Sequence, residues 1–268
     1  MPEAGNKKSG HCPQLLETAM QKQFSLLPKI AALSVMAACA APAMAQTAGS
    51  NVVSVGWFHL APQDSSEILR KNDGPGAGPI PGSGSTVKSA DTLGLAFTRY
   101  LTDNFSLTAD LGIPPTFKLD GTGTLAGVGE IGKAKQWSPA IVAKYHFGDG
   151  NSAFRPFVGA GVTYVWYDNV ELTSNFQRTI SSKYTNGAIS SAKSSASLSS
   201  SWAPVLTVGA NYNFDKNWSV GLSVSYIPLK TDATITTELP AVAGGTTHSS
   251  TSLTINPIVT FLSVGYRF

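Results

Sequence analysis

Few residues in this sequence could carry out chemistry on a substrate or hold a metal ion. The thiol and imidazole candidates are two cysteines and four histidines: Cys12, Cys39, His11, His59, His146 and His248. No serine and aspartate accompany His146 in the pattern of a catalytic triad, and the histidines do not cluster in metal-ligand spacing. We therefore interpret His146 as a hydrogen-bonded interior residue, and we expect no enzyme activity, no metal site and no cofactor.

The N-terminal residues have the organisation of a secretory signal peptide. An apolar run at 30–41 follows Lys22 and Lys29 and precedes Ala43-Met44-Ala45. A basic segment, a short apolar segment and small residues at alternate positions are the features that a signal peptidase recognises. The apolar run is shorter than the ~20 residues that a membrane-spanning helix needs. We predict cleavage after Ala45, with Ala43 and Ala45 as the recognised residues.

The predicted cleavage divides the chain into a removed segment, 1–45, and a mature domain, 46–268. Residues 1–19 fit no part of a signal peptide, so we interpret them as an upstream extension and expect Met20 to be the true start. Both cysteines lie in the removed segment, which leaves the mature domain without disulfides or thiol ligands. An alternative is lipid attachment at Cys39, because Met36-Ala37-Ala38 before it weakly resembles a lipoprotein cleavage box.

The composition of the mature domain excludes two classes of protein. Residues 1–45 contain four of the 19 basic residues and two of the 16 acidic ones, so the remainder carries a net charge of +1. A nucleic-acid-binding protein would show a basic excess. Charged residues make up 13% of the sequence, about half of the ~25% usual in globular proteins. No segment of the mature domain has the ~18 uninterrupted apolar residues of a transmembrane helix.

Apolar residues alternate with small or polar ones in most of the mature domain. Eight segments read as strands, and all but the first, whose facing is ambiguous, alternate strictly: 52–60, 93–98, 105–112, 141–147, 158–166, 206–213, 218–226 and 262–268. A water-soluble β-sandwich would also alternate. Here the non-apolar face is mostly small and uncharged, which favours lipid outside and a packed interior. The pattern predicts an all-β fold, an eight-stranded antiparallel up-and-down transmembrane β-barrel.

The connectors between these segments alternate in length. Three are short and rich in turn residues (102–104, 148–152 and 215–217), and four are long and polar (61–89, 113–136, 168–201 and 231–250). Short turns at one end and long loops at the other are typical of outer-membrane barrels. We expect the long connectors to be extracellular and both termini to be periplasmic. The serine-rich stretch 190–201 is predicted to be a solvated loop.

The C-terminus closes an alternating strand with Tyr266 and Phe268. This ending resembles the signal that the outer-membrane assembly machinery recognises. We therefore expect the cell outer membrane of a Gram-negative bacterium as the location. The expected partners are the assembly machinery, the lipid bilayer and its lipopolysaccharide, and small apolar solutes, with no nucleic acid.

Three stretches of the chain resemble the outer membrane protein W family. They read TLGLAFTRYLTDNFSL, KYHFGDGNSAFRPFVGAGVTY and FLSVGYRF. The resemblance implies an eight-stranded outer-membrane barrel, similar to alkane-uptake porins, that passes small hydrophobic molecules; some members serve as bacteriocin receptors. It also implies that Trp202 helps to floor a hydrophobic channel. Asp110 stands where an apolar partner of Trp202 is expected, which departs from an unbroken apolar channel.

Two charged residues are predicted to face the barrel interior. Asp110 and Lys144 lie on the inward faces of strands three and four, with His146 beside Lys144. Because a buried charge without a partner is costly, we predict that Asp110 and Lys144 form an ion pair or share one polar network. The alternative is that each faces water in the lumen separately.

Prolines gather towards the long-connector ends of the strands. Because proline lacks an N–H group, it removes a ladder hydrogen bond from a sheet. Pro139, Pro204, Pro228 and Pro257 are therefore candidates for a weakened wall through which solutes leave sideways into the membrane. The alternative is that they end the strands and prevent mispairing of edges.

The main functional hypothesis is passive uptake of small hydrophobic molecules, and the prolines extend it to lateral exit into the membrane. The alternative is a non-transporting structural or surface-interaction barrel that acts as a receptor or adhesin. A lipid-modifying membrane enzyme is the third hypothesis. An eight-stranded barrel is just wide enough to be filled by its own side chains, which excludes a broad water-filled pore.

Overall fold

The computed structural model describes residues 47–74, 77–189, 192–240 and 245–268, so the predicted cleavage site at Ala43 and Ala45 lies outside the described residues. The strands are β1 (Asn51–Ala61), β2 (Ser65–Ser66), β3 (Arg70–Lys71), β4 (Gly78–Pro79), β5 (Ser83–Val87), β6 (Ala90–Tyr100), β7 (Phe105–Gly112), β8 (Thr116–Gly123), β9 (Glu130–Trp137), β10 (Ala140–His146), β11 (Phe154–Leu172), β12 (Lys193–Leu198), β13 (Ser201–Asn213), β14 (Trp218–Tyr226), β15 (Lys230–Glu238), β16 (Thr246–Thr254) and β17 (Ile258–Arg267). A helix, α1 (Ser174–Tyr184), follows β11, and a 3-10 turn spans Ala126–Val128.

Eight of these strands close into the predicted antiparallel barrel. The pairing order is β1, β6, β7, β10, β11, β13, β14 and β17, and β17 pairs again with β1. Each strand pairs with its predecessor among the spanning strands, which is the up-and-down connection. Closure matters because unpaired backbone groups are costly in lipid and a closed barrel has no edge strand. The predicted fold class is confirmed.

The two faces of the barrel wall follow the alternation in the sequence. On β6, Leu93, Leu95 and Phe97 are exposed on the outer surface, while Ala96 and Thr98 are buried inside. The ambiguous first strand follows the same rule, with Val55 and Trp57 outside and Phe58 and Leu60 inside. Successive side chains of a strand point to opposite faces, so the register of β6 places Leu93, Leu95 and Phe97 together towards lipid.

A short turn joins β13 to β14 at one end of the barrel. The Asp215 carboxylate accepts hydrogen bonds from the backbone N–H groups of Trp218, at 2.8 Å, and Asn217, at 2.7 Å. Those two donors hold the pKa of Asp215 below its ordinary value. The side chain thus accepts hydrogen bonds from backbone N–H groups that would otherwise lack an acceptor in a tight turn.

The long connectors are not the loops that the sequence indicated. At the other end of the barrel they form two sheets. We call these two sheets and α1 together the cap. In one sheet the neighbouring strands are, in order, the upper part of β11, then β9, β8 and β5. In the other sheet the order is β12, β15, β16, β3 and β4. The predicted solvated loop at 190–201 is wrong over β12, which pairs with β15 from Lys193 to Leu198.

The cap has an apolar core of its own. It consists of buried side chains from all four long connectors: Leu69, Leu125, Ile131, Phe176, Ile180 and Ile235. Phe176 and Ile180 are one helical turn apart in α1, whose first turn is capped by the Thr173 hydroxyl accepting from the Phe176 N–H. No helix in the described part of the chain is long and apolar enough to cross a membrane.

The side of the membrane on which the cap lies can be tested with epitope tags. We expect a tag inserted after Gly187, in the exposed turn behind α1, to be stained on intact cells. A tag inserted after Lys216, in the β13–β14 turn, should be stained only after the outer membrane is permeabilised. Staining of the Lys216 tag on intact cells, with the Gly187 tag hidden, would reverse the predicted topology.

Candidate functional site

A cavity of about 260 Å³ lies inside the cap-side half of the barrel. Most of its lining is apolar, and it is drawn from strands all around the barrel. The inward-facing apolar members are Phe58, Leu60, Val165, Val205, Leu229 and Val259. A cavity of this composition favours apolar molecules over water, because water needs polar partners to be held.

Two phenylalanines separate this cavity from the lower half of the barrel. The rings of Phe58 and Phe261 stack with centroids 4.0 Å apart and planes inclined by 17°. Phe58 lines the upper cavity, and Phe261 lines a polar cavity of about 40 Å³ beneath it. A Cβ atom on Gly94 would lie 2.1 Å from the Phe58 ring, so the pair rests directly on this glycine. We call Phe58 and Phe261 the floor.

Trp202 is not part of this floor. Its side chain is 71% exposed and lies on the outer face of β13, where it contacts the Tyr164 ring at 4.9 Å. The inward positions beside it on the strand are Ala203 and Val205, which are buried. The channel-floor prediction for Trp202 is therefore wrong, because the register of β13 turns this position to the outside. Sequence reasoning missed Phe58, whose strand had an ambiguous facing, and Phe261.

The lower half of the barrel is filled by polar and aromatic side chains. His146 is buried, as predicted, and its Nε2 atom lies 2.8 Å from the Ser106 hydroxyl. Arg155 is completely buried near the short-turn end, where it donates to the carbonyl of Asp103 and lies over the Tyr100 ring. This packing closes the direct route from the floor to the short-turn end.

Asp110 and Lys144 both face the interior, but on opposite sides of the floor. Asp110 lines the upper cavity, whereas Lys144 lines the lower one, with its Nζ atom 5.0 Å from the centroid of the Phe157 ring. Among the described residues, Asp110 and Lys144 do not form an ion pair within 4.0 Å. The two charges attract each other over a longer distance only, so the predicted direct ion pair is absent from this part of the chain.

The barrel wall has a gap beside the cavity. The ladder between β7 and β10 ends at the pair Asp110–Ala140, and pairing resumes in the cap at Thr116–Lys135. Between these two pairs, the Gln136 N–H donates a hydrogen bond across the wall to the Pro115 carbonyl, at 3.0 Å. Residues 111–114 therefore face residues 137–139 without ladder pairs, and we call this stretch the side gap.

The cavity reaches the outer surface through the side gap. Its lining includes side chains that are exposed on the outer face, namely Leu111, Ile113 and Trp137. The same cavity is lined by inward residues of β13 and β17, on the opposite wall. One continuous space thus connects the barrel interior to the surface that faces the membrane.

The four candidate prolines occupy different places relative to the side gap. Pro139 lies in it, and Pro257 lines the cavity from the end of β17. Pro204 lies within an uninterrupted ladder, opposite Val162 of β11, and Pro228 is exposed between β14 and β15. The prediction is therefore wrong for Pro204 and Pro228 as borders of an opening. Pro114 lies on the other side of the gap, and the carbonyl of Pro115 accepts the hydrogen bond from Gln136 that bounds it.

The residues of the predicted assembly signal lie at the closure of the barrel. Tyr266 is exposed on the outer face and packs edge-on against Trp218, with ring centroids 5.0 Å apart. The Phe268 N–H donates to the Asn51 carbonyl at 3.0 Å, which joins the last strand to the first. Their recognition by the assembly machinery stays a prediction.

Comparison with known proteins agrees with this architecture. The model of the OmpW family matches residues 47–268. The chain belongs to the OmpW family. Outer membrane protein W of Vibrio cholerae is 32% identical over 241 residues, which cover 89% of this chain and 98% of that protein. The location in the outer membrane is thereby confirmed.

Two further proteins bear on the fold and the function of this OmpW family member. The crystal structure of outer membrane protein OprG from Pseudomonas aeruginosa matches with a TM-score of 0.71 and 26% identity, covering 84% of this chain and 99% of that chain. The dibenzothiophene metabolism operon protein PahQ of Pseudomonas aeruginosa is 27% identical over 191 residues, which cover 70% of this chain and 77% of that protein.

Proposed function

We propose that this OmpW family protein takes up small hydrophobic molecules and releases them sideways into the membrane through the side gap. The observation that carries the proposal is the continuous cavity, which runs from the apolar interior between Pro114 and Pro139 to the outer surface. Unpaired backbone is tolerated at membrane depth only where protein covers it or a cavity lies beside it, and both sides of this gap line a cavity.

The two ends of the barrel support the proposed direction. Towards the cap, a smaller apolar cavity of about 20 Å³ lies among Phe117, Leu119 and Leu253, and Gln136 lines both cavities. Entry from the cap side is part of the proposal, and it requires the side chains around this small cavity to move apart. Towards the other end, the floor and the buried Arg155 block direct passage. A molecule in the cavity therefore has the side gap as its remaining way out.

The relatives support the class of solute. PahQ takes its name from a dibenzothiophene metabolism operon, and dibenzothiophene is an apolar aromatic molecule. The proposal involves passive movement without a chemical step. The proposed role is therefore a transport path for the solute and not an enzyme. A surface-interaction role for the folded cap is the competing function, and the cross-linking experiment below separates the two.

Cross-linking the two sides of the side gap tests lateral exit. Gly112 and Ser138 line the cavity on opposite sides of the gap, so a short bis-maleimide between Gly112→Cys and Ser138→Cys should tie the wall together. Residues 46–268 contain no cysteine. We expect uptake of a radiolabelled apolar aromatic by intact cells to fall several-fold, because the exit is closed. A tenfold fall would correspond to a free-energy difference of ~1.4 kcal/mol.

The matched control cross-links a closed part of the wall. Thr98 and Thr108 face each other across an intact ladder below the cavity, with hydroxyl oxygens 2.9 Å apart. The double variant Thr98→Cys and Thr108→Cys should keep full uptake after cross-linking. Full uptake by the cross-linked Gly112–Ser138 variant would contradict lateral exit. Equal uptake by cells with and without the protein would contradict transport altogether and favour the surface-interaction role.

A further inference from the structure

Asp110 is a charged residue at the edge of the cavity and of the side gap. It belongs to the last ladder pair before the gap, opposite Ala140, and its side chain lines the cavity. Inward residues nearby on the other strands, such as Val165 and Val205, are apolar. A molecule that moves from the cavity to the membrane passes this carboxylate.

Within the described residues, no protein group makes a direct hydrogen bond or a close ion pair with Asp110. No cation in this part of the chain lies within 4.0 Å of its carboxylate. Lys144, the nearest candidate, lies below the floor against the Phe157 ring. The carboxylate oxygens are not sealed within protein, unlike the Nδ1 atom of His146, which is buried without a partner. The acceptor is therefore open to the cavity.

We propose that Asp110 makes the site select apolar molecules that carry one hydrogen-bond donor, a hydroxyl or an ammonium group, over pure hydrocarbons and ethers. This inference rests on the proposed uptake function and specifies its substrate class. A donor group on the solute replaces the water that otherwise satisfies the carboxylate. A solute without a donor displaces that water and leaves a charged acceptor against apolar atoms, which is costly.

The selectivity can be measured with two isomers that differ in the donor alone. Primary octyl alcohol and heptyl methyl ether have the same atoms and similar size, but the ether has no donor. We expect intact cells of a lipopolysaccharide-bearing host without its own homologue to take up the radiolabelled alcohol about tenfold faster than the ether, because a site with a built acceptor rejects an analogue that lacks the donor. Octylammonium should be favoured in the same way.

Variants of Asp110 connect the preference to this side chain. Asp110→Leu should abolish the difference between alcohol and ether by raising uptake of the ether, while Asp110→Asn, of the same shape, should reduce the difference. Asp91→Leu removes a carboxylate on the outer face, where it pairs with His59 at 2.8 Å, and should leave the preference unchanged. The heat-dependent gel shift of barrels verifies that each variant is folded.

The outcomes separate this inference from the proposed function. If alcohol and ether enter equally fast through the unaltered protein, or if Asp110→Leu retains the preference, Asp110 does not select the solute, although uptake itself stands. If the ether enters faster than the alcohol, the inference is reversed. If neither compound enters faster than in cells without the protein, the proposed function fails, and the selectivity fails with it.

Discussion

Replacing Ser225 by tryptophan is expected to lower the uptake of apolar solutes at least about tenfold. Ser225 lies on the inward face of β14 and lines the cavity, so an indole at this position would fill space that the solute needs. Forcing a solute into an already filled core costs roughly 1–3 kcal/mol, and each ~1.4 kcal/mol lowers occupancy tenfold. Uptake of a labelled apolar compound by intact cells measures the effect.

A tryptophan on the other face of the wall is the matched control. Leu206 is exposed on the outer surface of β13, and Leu206→Trp adds the same ring towards the membrane without touching the cavity. It should retain uptake, because tryptophan is well tolerated in the lipid-facing wall near the interface. If Ser225→Trp folds and transports as well as Leu206→Trp, the cavity is not the path of the solute.

Gly94→Ala is expected to destabilise the barrel by about 1–3 kcal/mol, the usual cost of overpacking a core. The new Cβ would lie 2.1 Å from Phe58 and 2.9 Å from Phe261, so the stacked floor must move. The free energy of unfolding, measured by urea titration of the protein in lipid vesicles, gives the change.

Gly127→Ala provides the reference for the loss of a glycine. Nothing lies within 4 Å of a Cβ at Gly127, which is in the 3-10 turn of the cap. This substitution should change the free energy of unfolding by little, since it meets open space. Equal stability of the Gly94 and Gly127 variants would show that the floor does not pack against Gly94 in the membrane.

The sequence by itself determined the barrel, its closure and its location. These properties depend on alternation with a period of two, which is local: Leu93, Leu95 and Phe97 face lipid whatever their neighbours in space are. Turn residues such as Asp215 act within a few positions, so the short turns could also be predicted. The burial of His146 and the inward facing of Asp110 and Lys144 follow from the same alternation.

Tertiary structure alone decided the site. The side gap exists because β7 and β10 stop pairing at Asp110–Ala140, and the offset between two strands is not encoded in either strand alone. For the same reason, Pro139 lies beside the opening, whereas Pro204 lies in a closed ladder. Trp202 lies in phase with Leu206 and Val208, which alternation places on the outer face, and its inward role was implied by the family resemblance alone. The cap could not be predicted from the sequence, because its core gathers single residues, such as Leu69, Phe176 and Ile235, from connectors far apart in the chain.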